Sequence, residues 1–364
     1  MKIILATAIY PPAIGGPAEY VKNLAGKLTE RGLDVAVVAY GEKQAGKENF
    51  KVEFVAPKSF FRHIFYFLKL FFISRGADII YAFDPLAAGL PAYLTAKLRG
   101  IKFVMRVGGD YLWERDVEAG RVWTTLRDYC ESELWKKRTV EHKLLKTVFG
   151  GVHKFIFTTK FQAEIYTRVF GIPKDKISII QNPFASAGLM GMRTGNKNII
   201  FAGRFIKLKN LDNLILAFKN IVADFPEHKL VLIGEGPEES RLISLISEHS
   251  LEDRVLIWPK MPKEKLSAEI SAATACVLPS LSEVSPNFAL ECISIGTPIV
   301  LTREHGLDIA LKEEYLIDPM NQQDIENKLR AVLTMSEKSP GVFGQPSGIT
   351  FDDIVKKHLE IFNQ

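Results

Sequence analysis

The sequence predicts an α/β protein of two doubly wound domains, each a parallel sheet covered by helices on both faces. Three observations lead there. A length of 364 residues asks for two domains, at about 100–200 residues per domain. Short β-branched runs alternate with stretches of helical periodicity along nearly the whole chain, and repeated βα units close into parallel sheets. The alternation stops at Ala185-Ser-Ala-Gly-Leu-Met-Gly-Met-Arg-Thr-Gly195 and restarts near Asn198, which marks a Gly-rich interdomain linker.

In the first half the strand candidates are 2–8, 34–40, 51–56, 78–82, 102–107, 154–158 and 177–180. In the second they are 198–202, 229–234, 254–257, 275–278, 298–301 and 315–317. Between them lie patterns such as Val21, Leu24, Ala25 and Leu28, spaced i, i+3, i+4 and i+7 as on one face of a helix. The expected bounds are 1–184 for the first domain, 185–196 for the linker and 197–345 for the second domain, with a cleft between the two. A final helix within 346–364 carries Ile354, Val355, His358, Leu359 and Phe362 on one face. It is expected to cross back to the first domain, because the second already reads as complete.

Composition narrows the class. With 47% hydrophobic and 24% charged residues, disorder, collagen-like repeats and a coiled coil are set aside. Cys130, Cys276 and Cys292 are odd in number and share no CxxC spacing, which argues against a disulfide framework or a zinc site. The N-terminus enters a strand pattern at once and meets Pro11-Pro12, unlike a signal peptide. No apolar run reaches the span of a bilayer. The expected location is cytoplasmic.

Charge is uneven. Residues 1–190 carry 28 Lys and Arg against 18 Asp and Glu, net +10, and residues 191–364 carry 19 against 24, net −5. A basic half suggests a polyanion facing it, an anionic membrane surface or a phosphorylated substrate, and no nucleic acid is expected. The segment 59–75, Ser-Phe-Phe-Arg-His-Ile-Phe-Tyr-Phe-Leu-Lys-Leu-Phe-Phe-Ile-Ser-Arg, is the most apolar of the chain. It reads either as a buried helix or as an interfacial helix edged by Arg62, His63 and Lys69, consistent with peripheral contact at the membrane.

Three constructs could carry chemistry. In the first, Ser285-Pro286 predicts a helix start, Ser as N-cap and Pro at the first helical position, and Gly296-Thr-Pro298 predicts its stop. The helix follows strand 275–278, so the amides of Asn287, Phe288 and Ala289 face the carboxyl end of the sheet, where open α/β sheets bind ligands and helix N-termini favour anionic oxygens. Glu283 stands just before that helix and Glu291 two turns on. In the second, Gly203 ends strand 198–202, and Arg204 and Lys209 follow. A guanidinium fork with a lysine point charge suits a diphosphate. In the third, Pro11-Pro-Ala-Ile-Gly-Gly16 links the first strand to the first helix, where Gly15 and Gly16 let the backbone approach a ligand. It matches neither the dinucleotide nor the Walker pattern. Gly234-Glu-Gly-Pro237 is a similar turn in the second domain.

Taken together, these residues resemble the retaining, nucleotide-sugar-dependent glycosyltransferases of family 4, which have the GT-B fold. The resemblance rests on Pro11 to Gly16, on Gly203-Arg204 with Lys209, on Gly234-Glu-Gly-Pro237, on Glu283 and Glu291 as an E-x7-E pair, and on Gly296-Thr-Pro298. It implies that Arg204 and Lys209 clamp a donor diphosphate and that Glu291 holds the nucleotide ribose. Glu283 would contact the donor sugar, with the amides of Asn287 and Phe288 on sugar hydroxyls and phosphate. Gly15 and Gly16 would approach the diphosphate, and Lys260 would lie near the base. It also implies a nucleotide-diphosphate sugar as donor, a glycan, lipid-linked or other glycoside acceptor on the first-domain side, no cofactor and no metal. Configuration at the transferred carbon would be retained.

The chain departs from the family pattern twice. Where many relatives carry His-Gly after the fifth strand, it reads Arg106-Val-Gly-Gly-Asp110-Tyr-Leu-Trp-Glu114. Asp110 is the candidate to stand in as acceptor-side contact or base. The usual Gly-Phe-Gly after the first glutamate is Val284-Ser285-Pro286, so the pocket around the sugar differs. Two rival readings use the same fold: a nucleotide-sugar epimerase or isomerase, for which Asp110 is the one candidate base, and a degenerate binding or scaffold subunit.

Overall fold

The computed structural model describes residues 1–13, 16–41, 48–56, 61–184, 196–309, 311–336 and 348–364. All but Asn196 of the expected linker at 185–196, and Gly15, lie outside them. The described chain divides into two compact units. One comprises Met1–Leu112, Glu133–Pro183 and Thr350–Gln364, and the other Trp113–Ser132 and Phe184–Ile349.

In chain order the first stretch forms β1 (Lys2–Thr7), α1 (Gly16–Glu30), β2 (Asp34–Tyr40), β3 (Lys51–Val55), α2 (Arg62–Ile73), β4 (Ile79–Ala82), α3 (Gly89–Arg99) and β5 (Lys102–Val107). It continues with α4 (Tyr111–Glu118), α5 (Leu126–Glu131), α6 (Thr139–Gly150), β6 (Lys154–Phe157), α7 (Lys160–Phe170) and β7 (Ile177–Ile179). The strands pair in the order β3-β2-β1-β4-β5-β6-β7, every pairing parallel. A parallel sheet is covered on both faces, which is why its strands read as unbroken apolar runs. β4 is buried along its whole length, and the α1 stripe Val21, Leu24, Ala25 and Leu28 is fully buried.

The second stretch forms β8 (Asn198–Ala202), α8 (Leu211–Ile221), β9 (Lys229–Ile233), α9 (Glu239–Glu248), β10 (Val255–Trp258), α10 (Lys263–Ala272) and β11 (Ala275–Leu278). After these come α11 (Asn287–Ile295), β12 (Ile299–Thr302), β13 (Leu316–Ile317), α12 (Gln322–Ser336) and α13 (Phe351–Phe362). Its six strands pair in parallel in the order β10-β9-β8-β11-β12-β13. Among the described residues no helix is long and apolar enough to cross a membrane.

The compact units do not follow the expected bounds at 184 and 345. Trp113–Ser132 groups with the second unit, for a reason given below. Helix α13 groups with the first. It starts with a full capping box, in which Thr350 and Asp353 satisfy each other's backbone amides. It packs on α1, and Asp352 pairs with Arg31 at 3.1 Å.

His358 fixes α13 from inside. Its Nδ1 lies 2.8 Å from the Ile354 carbonyl and its Nε2 3.0 Å from the Tyr81 hydroxyl. A neutral ring satisfies both partners, Nδ1–H donating to the carbonyl and Nε2 accepting from the hydroxyl. Burial, helped by the nearby Arg106 guanidinium, pushes its pKa down from 6.5 to about 3. Between those values the unfolded chain binds a proton that the folded chain refuses. This contribution is therefore intact above about pH 6.5 and is lost as pH falls toward 3, by up to ~1.4 kcal/mol per pH unit. Denaturant melts of His358→Leu at pH 7, 6 and 5 should show a shallower loss of stability with acid than the parent chain.

Candidate functional site

In a sheet ordered β10-β9-β8-β11-β12-β13, the winding reverses between β8 and β11. The loops leaving the carboxyl ends of those two strands diverge there and leave room for a ligand. The loop after β8 carries Arg204 and Lys209, and the loop after β11 carries Glu283.

After β8 the chain turns at Gly203, passes Arg204, which is exposed, and makes a single 3-10 turn at Lys207–Lys209. Asn210 then adopts the left-handed conformation with φ 58°. It is buried, and its side-chain amide donates to the Pro279 carbonyl at 3.1 Å and the Pro319 carbonyl at 2.8 Å. These bonds hold the left-handed residue, so that Lys209 projects toward the loop after β11. There Glu283 Oε1 accepts from Lys209 Nζ and from the buried Ser280 hydroxyl, both at 2.5 Å. The Glu283 backbone is fixed as well. Its amide donates to the Glu304 carbonyl at 2.8 Å, and its carbonyl accepts from Gly306 at 2.9 Å. The structure thus brings together Lys209 and Glu283, which stand 74 residues apart.

The helix start was expected one residue earlier. α11 begins at Asn287, and Pro286 occupies the cap position without a side-chain cap bond. Pro286 is the natural last residue before the helix, having no N–H to satisfy, and a φ of −76° leads directly into the first turn. Asn287 is exposed and Phe288 half-buried against the core. Glu291 is half-buried, and burial raises its pKa, with Lys263 Nζ at 3.9 Å acting against the shift. Lys260 is exposed just beyond β10. Asp110 is buried in the first unit, on the loop whose Gly109 carbonyl accepts from Gln162 and Tyr166. Gly16 opens α1 in that same unit.

Glycine is required where the two turns of the second unit meet. A Cβ on Gly234, whose φ is +152°, would stand 1.9 Å from the Gly203 carbonyl oxygen, and one on Gly236 would stand 2.3 Å from that of Phe205. Two backbone bonds, Phe205 N–H to Glu235 and Glu238 N–H to Phe205, zip those turns together.

Sequence reasoning missed the part played by Trp113–Ser132. The Glu118 carboxylate accepts from the amides of Lys207 at 3.2 Å and Leu208 at 3.0 Å, capping the 3-10 turn that carries Lys209. The Ser282 hydroxyl accepts from the Leu126 amide at 2.8 Å. Arg127 pairs with Glu304 at 3.1 Å. Burial raises the Glu304 pKa against that pairing, and its Oε2 is buried without a hydrogen-bond partner among the described residues. These bonds are what tie the segment to the second unit. They span 89 to 177 residues, so no local signal announces them. Among the described residues no cluster of His, Cys, Asp and Glu is placed to hold a metal ion.

Two family models match the chain almost end to end, Glycosyltransferase Family 4 over residues 14–185 and Glycosyl transferases group 1 over residues 191–342. The chain belongs to the family 4, group 1 glycosyltransferases. Within that family it is 34% identical over 191 residues to a D-inositol 3-phosphate glycosyltransferase of Pseudarthrobacter chlorophenolicus, a match covering 48% of this chain and 44% of the relative. The chain spans somewhat less than half the length of several such curated relatives. Solved GT-B structures align over the whole chain. A sucrose-phosphate synthase of Thermosynechococcus elongatus superposes with a TM-score of 0.75 at 17% identity, over 100% of this chain and 98% of that one. Anabaena HepE in complex with UDP superposes at 0.70 and 14%, over 100% of both. The fold is therefore GT-B, with Lys209 and Glu283 at the switch point of its second sheet.

Both charges of that pair are largely withdrawn from water, with side chains 17% and 10% exposed. Deleting one partner leaves the other charge uncompensated. Lys209→Met should cost roughly 3 kcal/mol in denaturant melts, and Lys209→Met with Glu283→Gln should recover at least about half of it. Equal melting of single and double variants would show that the pair does not hold the two loops. Gly236→Ala should lower stability by about 2 kcal/mol or more, because the close approach of the turns leaves no room for a methyl group.

Proposed function

We propose that this protein is a glycosyltransferase that moves a sugar from a nucleotide-diphosphate sugar to a glycan, lipid-linked or other glycoside acceptor. The observation that carries the reading is the convergence of Lys209 and Glu283 between β8 and β11, in a chain of the family 4 lineage. In the donor complex Lys209 and Arg204 face the diphosphate, and Glu283 faces the sugar. The α11 first turn, with the Asn287 and Phe288 amides, takes anionic or hydroxyl oxygens. Glu291 accepts from the ribose hydroxyls, a fitting role for a carboxylate already held partly away from water. Lys260 lies on the side of the base. HepE was solved with UDP, which supports a nucleotide donor here too.

The reaction we assign retains configuration. The bond from the anomeric carbon to the diphosphate oxygen breaks, and a bond to the acceptor oxygen forms on the same face. The acceptor proton passes to the departing phosphate oxygen. Negative charge grows on the leaving diphosphate, so fixed cations there lower the barrier more than any proton transfer. No metal or other cofactor is needed in this scheme. Asp110 is assigned to the acceptor side.

Thermal melts against UDP, GDP, ADP and dTDP and their sugars test the donor. A ligand at about 100 times its dissociation constant should stabilise the chain by roughly 2.7 kcal/mol. One nucleotide should shift the melt, and Glu291→Ala should remove the shift. Glu283→Gln should reduce transfer at least about 100-fold while leaving binding of the bare nucleotide within a few-fold. An undiminished transfer rate in Glu283→Gln would separate that carboxylate from the sugar, and no shift with any nucleotide would overturn the donor class.

A further inference from the structure

Helix α2 contains the most apolar segment of the chain, yet of its own residues only Tyr66 and Leu70 are buried. Phe61, Ile64, Phe65, Leu68 and Phe72 are 41–72% exposed. They recur at i, i+3, i+4, i+7 and i+11, which is one stripe of a helix. Helix α3 packs beside α2 and continues the stripe with Leu94 and with Leu98, which is 68% exposed. Large apolar side chains gathered on a water-facing surface mark a place where something docks.

The charges around the stripe define the partner. Neither α2 nor α3 contains an aspartate or glutamate. Arg62, Arg75 and Lys97 are exposed around the stripe, and the Arg99 guanidinium lies 3.8 Å above the Phe71 ring. On its far side α3 meets α6, and beside them opens a cavity of about 540 Å³ lined by Tyr93, Lys97, Lys146, Thr147 and His153 among others. Among the described residues no carboxylate lines it. Lys97 and Lys146 have no carboxylate partner among the described residues. Gly151 shapes the wall, since a Cβ there would come within 2.2 Å of the Tyr93 ring.

We infer that this face of the first unit docks on an anionic lipid bilayer, with the α2–α3 stripe entering the interface and the α3–α6 cavity taking a lipid phosphate. Apolar burial and attraction to anionic lipid add in such binding. A second copy of the chain fits the face poorly. Two copies joined symmetrically through it would set the arginines and lysines of α2 and α3 against each other, and neither helix brings a carboxylate to offset them. Docking would bring the chain to the lipid-linked acceptor proposed above and rests on that reading for its purpose; the binding itself needs no turnover.

Vesicle pelleting of the full chain tests the inference, with phosphatidylcholine alone or with roughly one-third phosphatidylglycerol. The parent chain should bind the anionic vesicles at least about tenfold more tightly than the neutral ones, and salt should weaken that binding. Phe65→Ser with Phe72→Ser should lower it at least about tenfold, and Lys97→Glu with Lys146→Glu should do the same. All four side chains are surface groups, so melting temperatures should stay near that of the parent chain. Equal binding by parent and variants would overturn the inference. So would a melt shifted by inorganic phosphate without vesicle binding, or a dimer in sedimentation that Phe65→Ser with Phe72→Ser dissolves. Nucleotide melts on the same samples keep the two readings apart: vesicle binding without a nucleotide shift would sink the transferase and leave docking standing, and the converse would sink docking alone.

Discussion

The contact between Lys209 and Glu283 is the constraint around which the second unit is arranged. Placing an ammonium and a carboxylate in a partly dry gap costs solvation, and the surroundings offset that cost at several points. Ser280 donates to the same carboxylate oxygen. The Glu283 backbone is bridged to the 304–306 strand extension. Asn210 accepts a left-handed backbone so that Lys209 can reach across. Fixed polar groups of this kind are already oriented before any ligand arrives, and this preorganisation is what makes electrostatic stabilisation effective.

That arrangement explains why Trp113–Ser132 belongs to the second unit. A 3-10 turn has its own orphan amides at its start, and those of Lys207 and Leu208 need an acceptor. Glu118 supplies both oxygens. Ser282 and Glu304 receive equivalent support from Leu126 and Arg127. The loops that carry Lys209 and Glu283 are thus held partly by a segment encoded far upstream.

Most of the fold was legible in the sequence because doubly buried parallel strands are written as short apolar runs, and punctuation by Gly and Pro separates them. All thirteen strand candidates correspond to strands, with ends shifted by at most one residue. Lys209 and Glu283 could each be picked out, Lys209 beside Arg204 after one strand and Glu283 ahead of the helix after another, but their meeting is visible only in the fold. Glu118, Arg127 and Glu304 could not, because a carboxylate capping a distant turn looks in sequence like any solvated glutamate. The α11 start was misplaced by one residue because Ser285 and Pro286 both satisfy start rules. In α2, apolar residues all round the helix concealed which side faces the core; only the burial of Tyr66 and Leu70 decides it. Tyr66 is anchored there by its hydroxyl, which donates toward the Val38 and Thr7 carbonyls.

Each unit contains a piece encoded within the other's stretch of sequence: 113–132 serves the second, and 350–364 the first. During synthesis the seven-stranded sheet emerges long before α13, so the pocket for His358 beside Tyr81 stays unfilled until the other sheet has been made. Its apolar lining is exposed to chance partners for that whole interval. The first sheet therefore completes its packing only after the second has been made, and a chaperone acting on this protein would meet an open first sheet and a waiting 113–132 arm before it met anything resembling a finished domain.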